Sequence, residues 1–203
     1  MAVRSAPVRE RIVAAARELV AAHGFSATSV DAVVARAGAS KGAFFHHFPS
    51  KAHLGRAVVD AYVDDDIAFL EDLIAEAEAR SGDGGEQLLH VVARLQALGD
   101  APLDEQPTCL MVSFIYENQL EEAGIGEPVL RSIAHWRTRL TQLLERAAPT
   151  RPALRRADLP AVADHFFVTI EGAFLLARAT KDPGVLRRQL GQLRAYLELL
   201  LSA

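Results

Sequence analysis

An all-α fold is what this sequence predicts, and three observations carry the prediction. Apolar residues recur at spacings of three and four along most of the chain, and no segment alternates apolar and polar residues as a half-buried strand does. The breaks fall on Gly, Pro, Ser and Asp, the residues that cap or stop helices. There is no internal repeat and no low-complexity tract.

Taken in order, "APVRERIVAAARELVAAHGF" places Pro7 at a first helical position, Val8, Ile12, Ala15, Ala16 and Leu19 on one face, and Gly24 as a left-handed stop. A first helix therefore ends near residue 23. In "TSVDAVVARAG", Thr28 is the expected N-cap with Asp31 three residues on, Val30, Val33 and Val34 share a face, and Gly38 is the stop. Ser40 then caps a third short helix, Lys41 to about His47, which ends because Pro49 disfavours helical geometry at Phe48. Ser50 caps a fourth, expected over Lys51–Arg80 and roughly 45 Å long, with Leu54, Val58, Ala61, Tyr62, Phe69 and Leu73 inward. "SGDGG" at 81–85 ends it, and further helices are expected at about 86–98, 107–122, 127–147, 159–180 and 184–201.

With 203 residues, half of them hydrophobic, the chain can bury one large core or two modest ones. No run approaches the roughly 18 uninterrupted apolar residues of a membrane span. Arg9, Glu10 and Arg11 stand where a signal peptide needs an apolar stretch, so a cytoplasmic protein with no membrane partner is expected. The single cysteine, Cys109, excludes an intrachain disulfide and any CxxC metal or redox motif. His46 and His47 are adjacent, so their side chains diverge by about 100° on a helix, and no two histidines stand three or four apart. No metal and no cofactor are expected.

The net charge of −4 hides an asymmetry. Residues 1–56 hold eight Lys/Arg against three acids, a net of +5, and the remainder holds 14 against 23, a net of −9. A basic head on an acidic body suggests that the head meets a polyanion and the body does not.

Two short capped helices separated by a turn containing glycine describe a helix-turn-helix, whose second helix enters the DNA major groove. That second helix lies in "SKGAFFHHFPSK". Phe44 and Phe48 are four apart and can face inward onto Val30, Val34 and Phe25, whereas Lys41, Gly42, Phe45 and His46 share another face. Ser40 and Lys41 offer donors to phosphate or base, and Gly42 and Ala43 remove bulk so that the backbone can approach the groove. Ala43 offers only apolar contact, as to a thymine methyl. Thr28, Ser29 and Lys51 are placed to clamp phosphates on either side.

"VRERIVAAARELVAAHGFSATSVDAVVARAGASKGAFFHHFPSKAHL" resembles, in order, spacing and caps, the N-terminal DNA-binding domain of the TetR family of bacterial transcriptional regulators. The resemblance implies a helix-turn-helix DNA-binding domain over 1–50 and an effector-binding and dimerisation domain over 51–203. It implies a homodimer on a quasi-palindromic double-stranded operator, most often a repressor released by a small-molecule effector, and no enzyme activity. The family's DNA-contacting positions fall here on Thr28, Ser29, Lys41, Gly42, Ala43, Phe45, His46, His47 and Lys51. Where Phe45 stands the family often has tyrosine, whose hydroxyl would bond a phosphate.

The last helix spaces Leu186, Leu190, Leu193, Leu197 and Leu200 as the seam of a helix pair, a stripe that equally suits the inside of one monomer. With Val162, Phe166 and Ile170 of the preceding helix, and with the resemblance, it is the expected dimer interface. An effector pocket, expected because the family has one, is assigned to Phe69, Met111, Phe114, Glu117, Trp136, His165 and Phe166, most of which also suit plain core packing. A helical enzyme using Cys109 or a Glu117/His165 pair stays open as the competing class, although it leaves the basic, capped head without a purpose. Asp64, Asp65 and Asp66 read as a solvated face of the long helix.

Overall fold

The computed structural model describes residues 6–102, 110–117, 121 and 124–202, with the backbone alone at 112, 113 and 116. Its helices are α1 (Val8–His23), α2 (Val30–Ala37), α3 (Lys41–His47), α4 (Lys51–Arg80), α5 (Gly84–Ala97), α6 (Leu110–Tyr116), α7 (Gly126–Ala147), α8 (Leu159–Thr180) and α9 (Val185–Leu201). No strand occurs among the described residues. α4 and α8 span the residues that their caps and breakers predict. α1 starts one residue later than expected, with Pro7 as its N-cap. α5 starts two earlier, because the Asp83 carboxylate accepts the N–H of Glu86. α6 ends at Tyr116, with turns at 117 and 121, short of the helix expected over 107–122; Cys109 and the rest of that range lie outside the described residues.

The chain folds as two compact units whose division falls between residues 65 and 66 and again between 131 and 132. The sequence places a functional boundary at residue 50. The compact division lies further along because α4 is a continuous 30-residue helix that contributes residues to both units.

The first unit is built from α1, α2, α3, the first half of α4, α6 and the start of α7. Its buried residues include Ile12, Ala16, Val20, Phe25, Val33, Phe44, Phe48, Leu54, Val58, Met111, Phe114 and Ile125. The rings of Phe25 and Phe114 lie 4.7 Å apart and those of Phe44 and Phe48 5.7 Å apart. Each such side chain contributes about 2–3 kcal/mol on leaving water, so three short helices with little intrinsic stability are fixed by tertiary packing.

The second unit buries one continuous core from α4, α5, α7, α8 and α9, including Leu70, Ile74, Leu88, Val92, Leu140, Leu143 and Ala173. On α4 the buried stripe runs Val59, Val63, Leu70, Leu73, Ile74 and Ala77. It passes through Asp66 and leaves Phe69, expected inward, 38 % exposed. The leucine seam of α9 is also corrected. Leu186, Leu190, Leu193 and Leu197 are 1, 1, 2 and 0 % exposed within this one chain, together with Val162 and Phe166, and Leu200 and Ile170 pack against the same core. α9 packs on α5 and α8, and that packing consumes its only regular apolar stripe.

What remains outward on α8 and α9 is different. Val168, Leu175, Leu176, Tyr196 and Leu199 are 63, 65, 45, 40 and 73 % exposed. Among the described residues α8 is the one helix long and apolar enough to cross a membrane by length and composition, a property it owes partly to this outward face.

Candidate DNA-binding surface

α2 and α3 are each fixed by a serine. The Ser29 hydroxyl accepts the N–H of Ala32 and the Ser40 hydroxyl accepts that of Ala43, both at 3.1 Å. Each cap is worth about 1 kcal/mol. Gly38 ends α2 at φ 59°, ψ 41°, the left-handed conformation glycine reaches without a Cβ clash. Gly24 ends α1 at φ 86°, ψ 163°, again a positive φ but a more extended backbone than the expected left-handed turn. Arg11 of α1 donates to the carbonyls of Ala37 and Gly38 at 3.2 and 3.4 Å, filling acceptors that the end of α2 leaves over.

Phe44 and Phe48 are 0 and 2 % exposed, so the back of α3 is core. Its outer face carries Ser40, Lys41, Gly42, Phe45 and His46, all exposed, with Ala43 and His47 half-buried at its edges. Phe45 stands edge-on against Phe44, their ring centroids 5.1 Å apart, and is 55 % exposed. His46 and His47 meet edge to face at 5.0 Å. Lys51 opens α4 with its ammonium 4.5 Å above the Phe25 ring and donating to the Ser26 carbonyl at 3.1 Å.

Thr28 requires a correction. It is not the N-cap of α2; it is 5 % exposed, and its hydroxyl donates to the Gly24 carbonyl at 2.8 Å. A hydroxyl spent inside the α1–α2 loop is not presented to a phosphate, and Ser29 holds the exposed cap in its place. Two relationships escaped the sequence reading. Lys41 Nζ lies 2.7 Å from Asp31 Oδ1, and Glu117 accepts the backbone N–H groups of Phe25 and Ser26. Both join residues whose adjacency depends on how helices dock, which no local pattern encodes.

Residues 12–58, which include α2, α3 and the start of α4, match the model of the bacterial regulatory proteins of the tetR family. These residues form a TetR-family DNA-binding domain. The chain is 27 % identical over 174 residues to the transcriptional regulator AcuR of Cereibacter sphaeroides, covering 86 % of this chain and 78 % of that one. A TetR-family regulator from Agrobacterium tumefaciens superimposes with a TM-score of 0.77 at 27 % identity, over 98 % of this chain and all of the other. A regulatory protein TetR from Rhodobacter sphaeroides, 22 % identical, shares the fold with a TM-score of 0.73 over 92 % and 97 % of the two chains. The chain is a DNA-binding transcriptional regulator.

The residues assigned to an effector pocket are divided between the two units. Met111 and Phe114 are 2 and 0 % exposed in the core of the first unit, and the Glu117 carboxylate is spent on backbone amides there. In the second unit Phe69 is exposed and Phe166 has no accessible surface. Trp136 borders a cleft of about 200 Å³ with Ile133, Leu140 and Phe167, while His165 borders a separate groove of about 450 Å³ with Tyr196 and Leu176. The periodicity that marks aromatics as inward does not distinguish a cavity wall from filled core.

The acidic run on α4 is more engaged than a solvated face would be. Asp64 pairs with Arg131 at 2.8 Å and Asp65 with Arg17 at 2.6 Å. Asp66 Oδ2 accepts from the Ser132 hydroxyl at 2.6 Å and the Trp136 indole N–H at 2.8 Å. Burial raises its carboxyl above the usual aspartate range, although both hydrogen bonds act the other way. Glu71, one turn on, is held low by the Arg139 guanidinium and by His135. Among the described residues no group of three or more His, Cys, Asp or Glu is arranged to hold a metal ion.

Proposed function

We propose that the chain is a homodimeric repressor that holds a quasi-palindromic operator through α3 and leaves it when a small molecule binds the C-terminal part. Residues 1–50 carry DNA recognition and residues 51–203 carry effector binding and dimerisation. The protein works in the cytoplasm, beside its DNA, and performs no catalysis. The observation that carries this reading is the outward face of α3, where Ser40, Lys41, Gly42, Phe45 and His46 stand exposed on a helix anchored from behind by Phe44 and Phe48. In a dimer two copies of that face would occupy major grooves about 34–36 Å apart.

Dimerisation is assigned to the outer face of α8 and α9. Val168, Gly172, Leu176 and Tyr196 line its groove, and Leu175 and Leu199 extend the exposed apolar surface. An apolar stripe along two adjacent helices, facing outward, suits a matching pair from a second copy. An effector acts on such a dimer only through its difference in affinity between the DNA-bound and released states, typically about 1–3 kcal/mol.

The test is footprinting of the wild-type protein and a Lys41→Ala, His47→Ala double variant on the DNA flanking its own gene. Protection by the wild type that disappears in the double variant is expected. A variant that keeps full protection would remove α3 from the interface. A small-molecule screen scored by release of the footprint separates an effector-controlled regulator from one that responds to none.

A further inference from the structure

We propose that Asp31 is a specificity-determining residue of the DNA-binding surface: it holds Lys41 in check and disfavours any site that does not present an amino group to its carboxylate. The proposal rests on the reading that the outward face of α3 enters the groove, and it adds a residue from α2 to that surface.

The charge of the head is far less available than its composition suggests. Arg11 is spent on the carbonyls of Ala6, Ala37 and Gly38. Arg17 pairs with Asp65, Arg36 with Glu18, and Arg56 with Asp60 and Glu127. At the start of α3 the basic side chain is Lys41, and Asp31 lies against it at 2.7 Å. Both side chains are open to solvent, 62 % and 68 % exposed, and an exposed pair of this kind contributes little to folding. Its consequence lies where phosphates and base edges arrive.

An ionised carboxylate only accepts hydrogen bonds. Phosphates repel it, and so do the acceptors that guanine and thymine show in the major groove, whereas the amino groups of cytosine and adenine can satisfy it. On arbitrary DNA, Lys41 must leave Asp31 to reach a phosphate, and Asp31 is left facing negative charge. On a site with an amino group at the right step, Lys41 and Asp31 each gain a partner. The pair therefore weakens non-specific binding more than specific binding.

The experiment uses the full chain and two labelled duplexes of equal length, one of random sequence and one enriched from a random pool by the wild-type protein, over a salt series. Asp31→Asn is expected to bind the random duplex about two- to fivefold tighter, with a log–log salt slope steeper by about one counterion. The enriched duplex should gain less, so the ratio of specific to non-specific affinity falls. In a Lys41→Gln background the gain on the random duplex should shrink, and selection repeated with Asp31→Asn should relax one base position. An unchanged or larger ratio, weaker binding to the random duplex, or an unaltered selected sequence would overturn the proposal. Failure of the wild-type protein to bind any duplex would instead overturn the assignment of α3 as the DNA surface.

Discussion

The carboxylate of Glu117 accepts the backbone N–H of Phe25 through Oε1 at 2.9 Å and that of Ser26 through Oε2 at 2.5 Å. The loop entering α2 is thus held by a residue just past α6, and the Phe25 ring packs on Phe114 of α6 itself. Gly55 of α4 leaves room for that ring: a Cβ there would stand 2.8 Å from it. Glu117→Gln retains a single acceptor oxygen and loses the charge. It should lower the stability of the first unit by about 1–2 kcal/mol and raise hydrogen exchange at the amides of Phe25 and Ser26. Unchanged protection at those two amides would show that the carboxylate does not hold the loop in solution.

Two carboxylates on α4 should contribute to acid stability with opposite signs. Glu71 is depressed by the Arg139 hydrogen bond foremost, so its stabilisation is present above the ordinary glutamate value of 4.5 and is lost as pH falls through the lowered value. Glu71→Gln should cost about 0.5–1 kcal/mol at pH 7, since the pair is partly exposed, and nothing once both proteins are protonated. Asp66 is raised by burial, so the folded chain takes its proton before the unfolded chain does. Its linkage favours folding as pH falls from the raised value toward 3.8. The stability difference between wild type and Asp66→Asn should therefore move in favour of wild type between neutral pH and pH about 4. Denaturant titrations across this range check both signs.

Two leucines of α9 should respond in opposite ways to the same substitution. Leu193 is 2 % exposed in the monomer core, so Leu193→Arg buries an unpaired charge and should cost about 3–5 kcal/mol. Leu199 is 73 % exposed on the outer face, so Leu199→Arg should keep its melting temperature and sediment as a monomer. A Leu199→Arg protein that stays dimeric would move the interface off this face.

Phe45 offers its ring edge-on to Phe44 and more than half its surface to solvent, with no hydroxyl to bond a phosphate. Phe45→Tyr adds that donor without disturbing the buried side of α3. Operator affinity should rise by about two- to fivefold, the worth of one hydrogen bond. A clear loss in a binding titration would place Phe45 against an apolar group such as a thymine methyl.

Where the signals were local, the sequence was sufficient. Ser40 as the cap of α3, Gly38 as the left-handed end of α2, the span of α4 and the burial of Phe44 and Phe48 follow from residues within one or two turns of each other. The exposed side of α3 was legible for the same reason, because it is the complement of the two buried phenylalanines. Thr28 and Ser29 show the limit of such reasoning: either can cap, and the docking of α2 on α1 assigned the cap to Ser29 and turned Thr28 inward.

The rest was decided by tertiary structure. Periodicity states that one face of a helix is apolar and leaves open what covers it. The leucines of α9 could serve a partner or the monomer, and packing on α5 and α8 gave them to the monomer, leaving Val168, Leu175, Tyr196 and Leu199 outside. Likewise the count of basic residues in the head follows from composition alone, but which remain open to a phosphate depends on partners brought together from distant positions, such as Asp65 for Arg17. Local sequence determined the helices and the exposed face of α3, while the docking of those helices decided which charges and apolar stripes remained available.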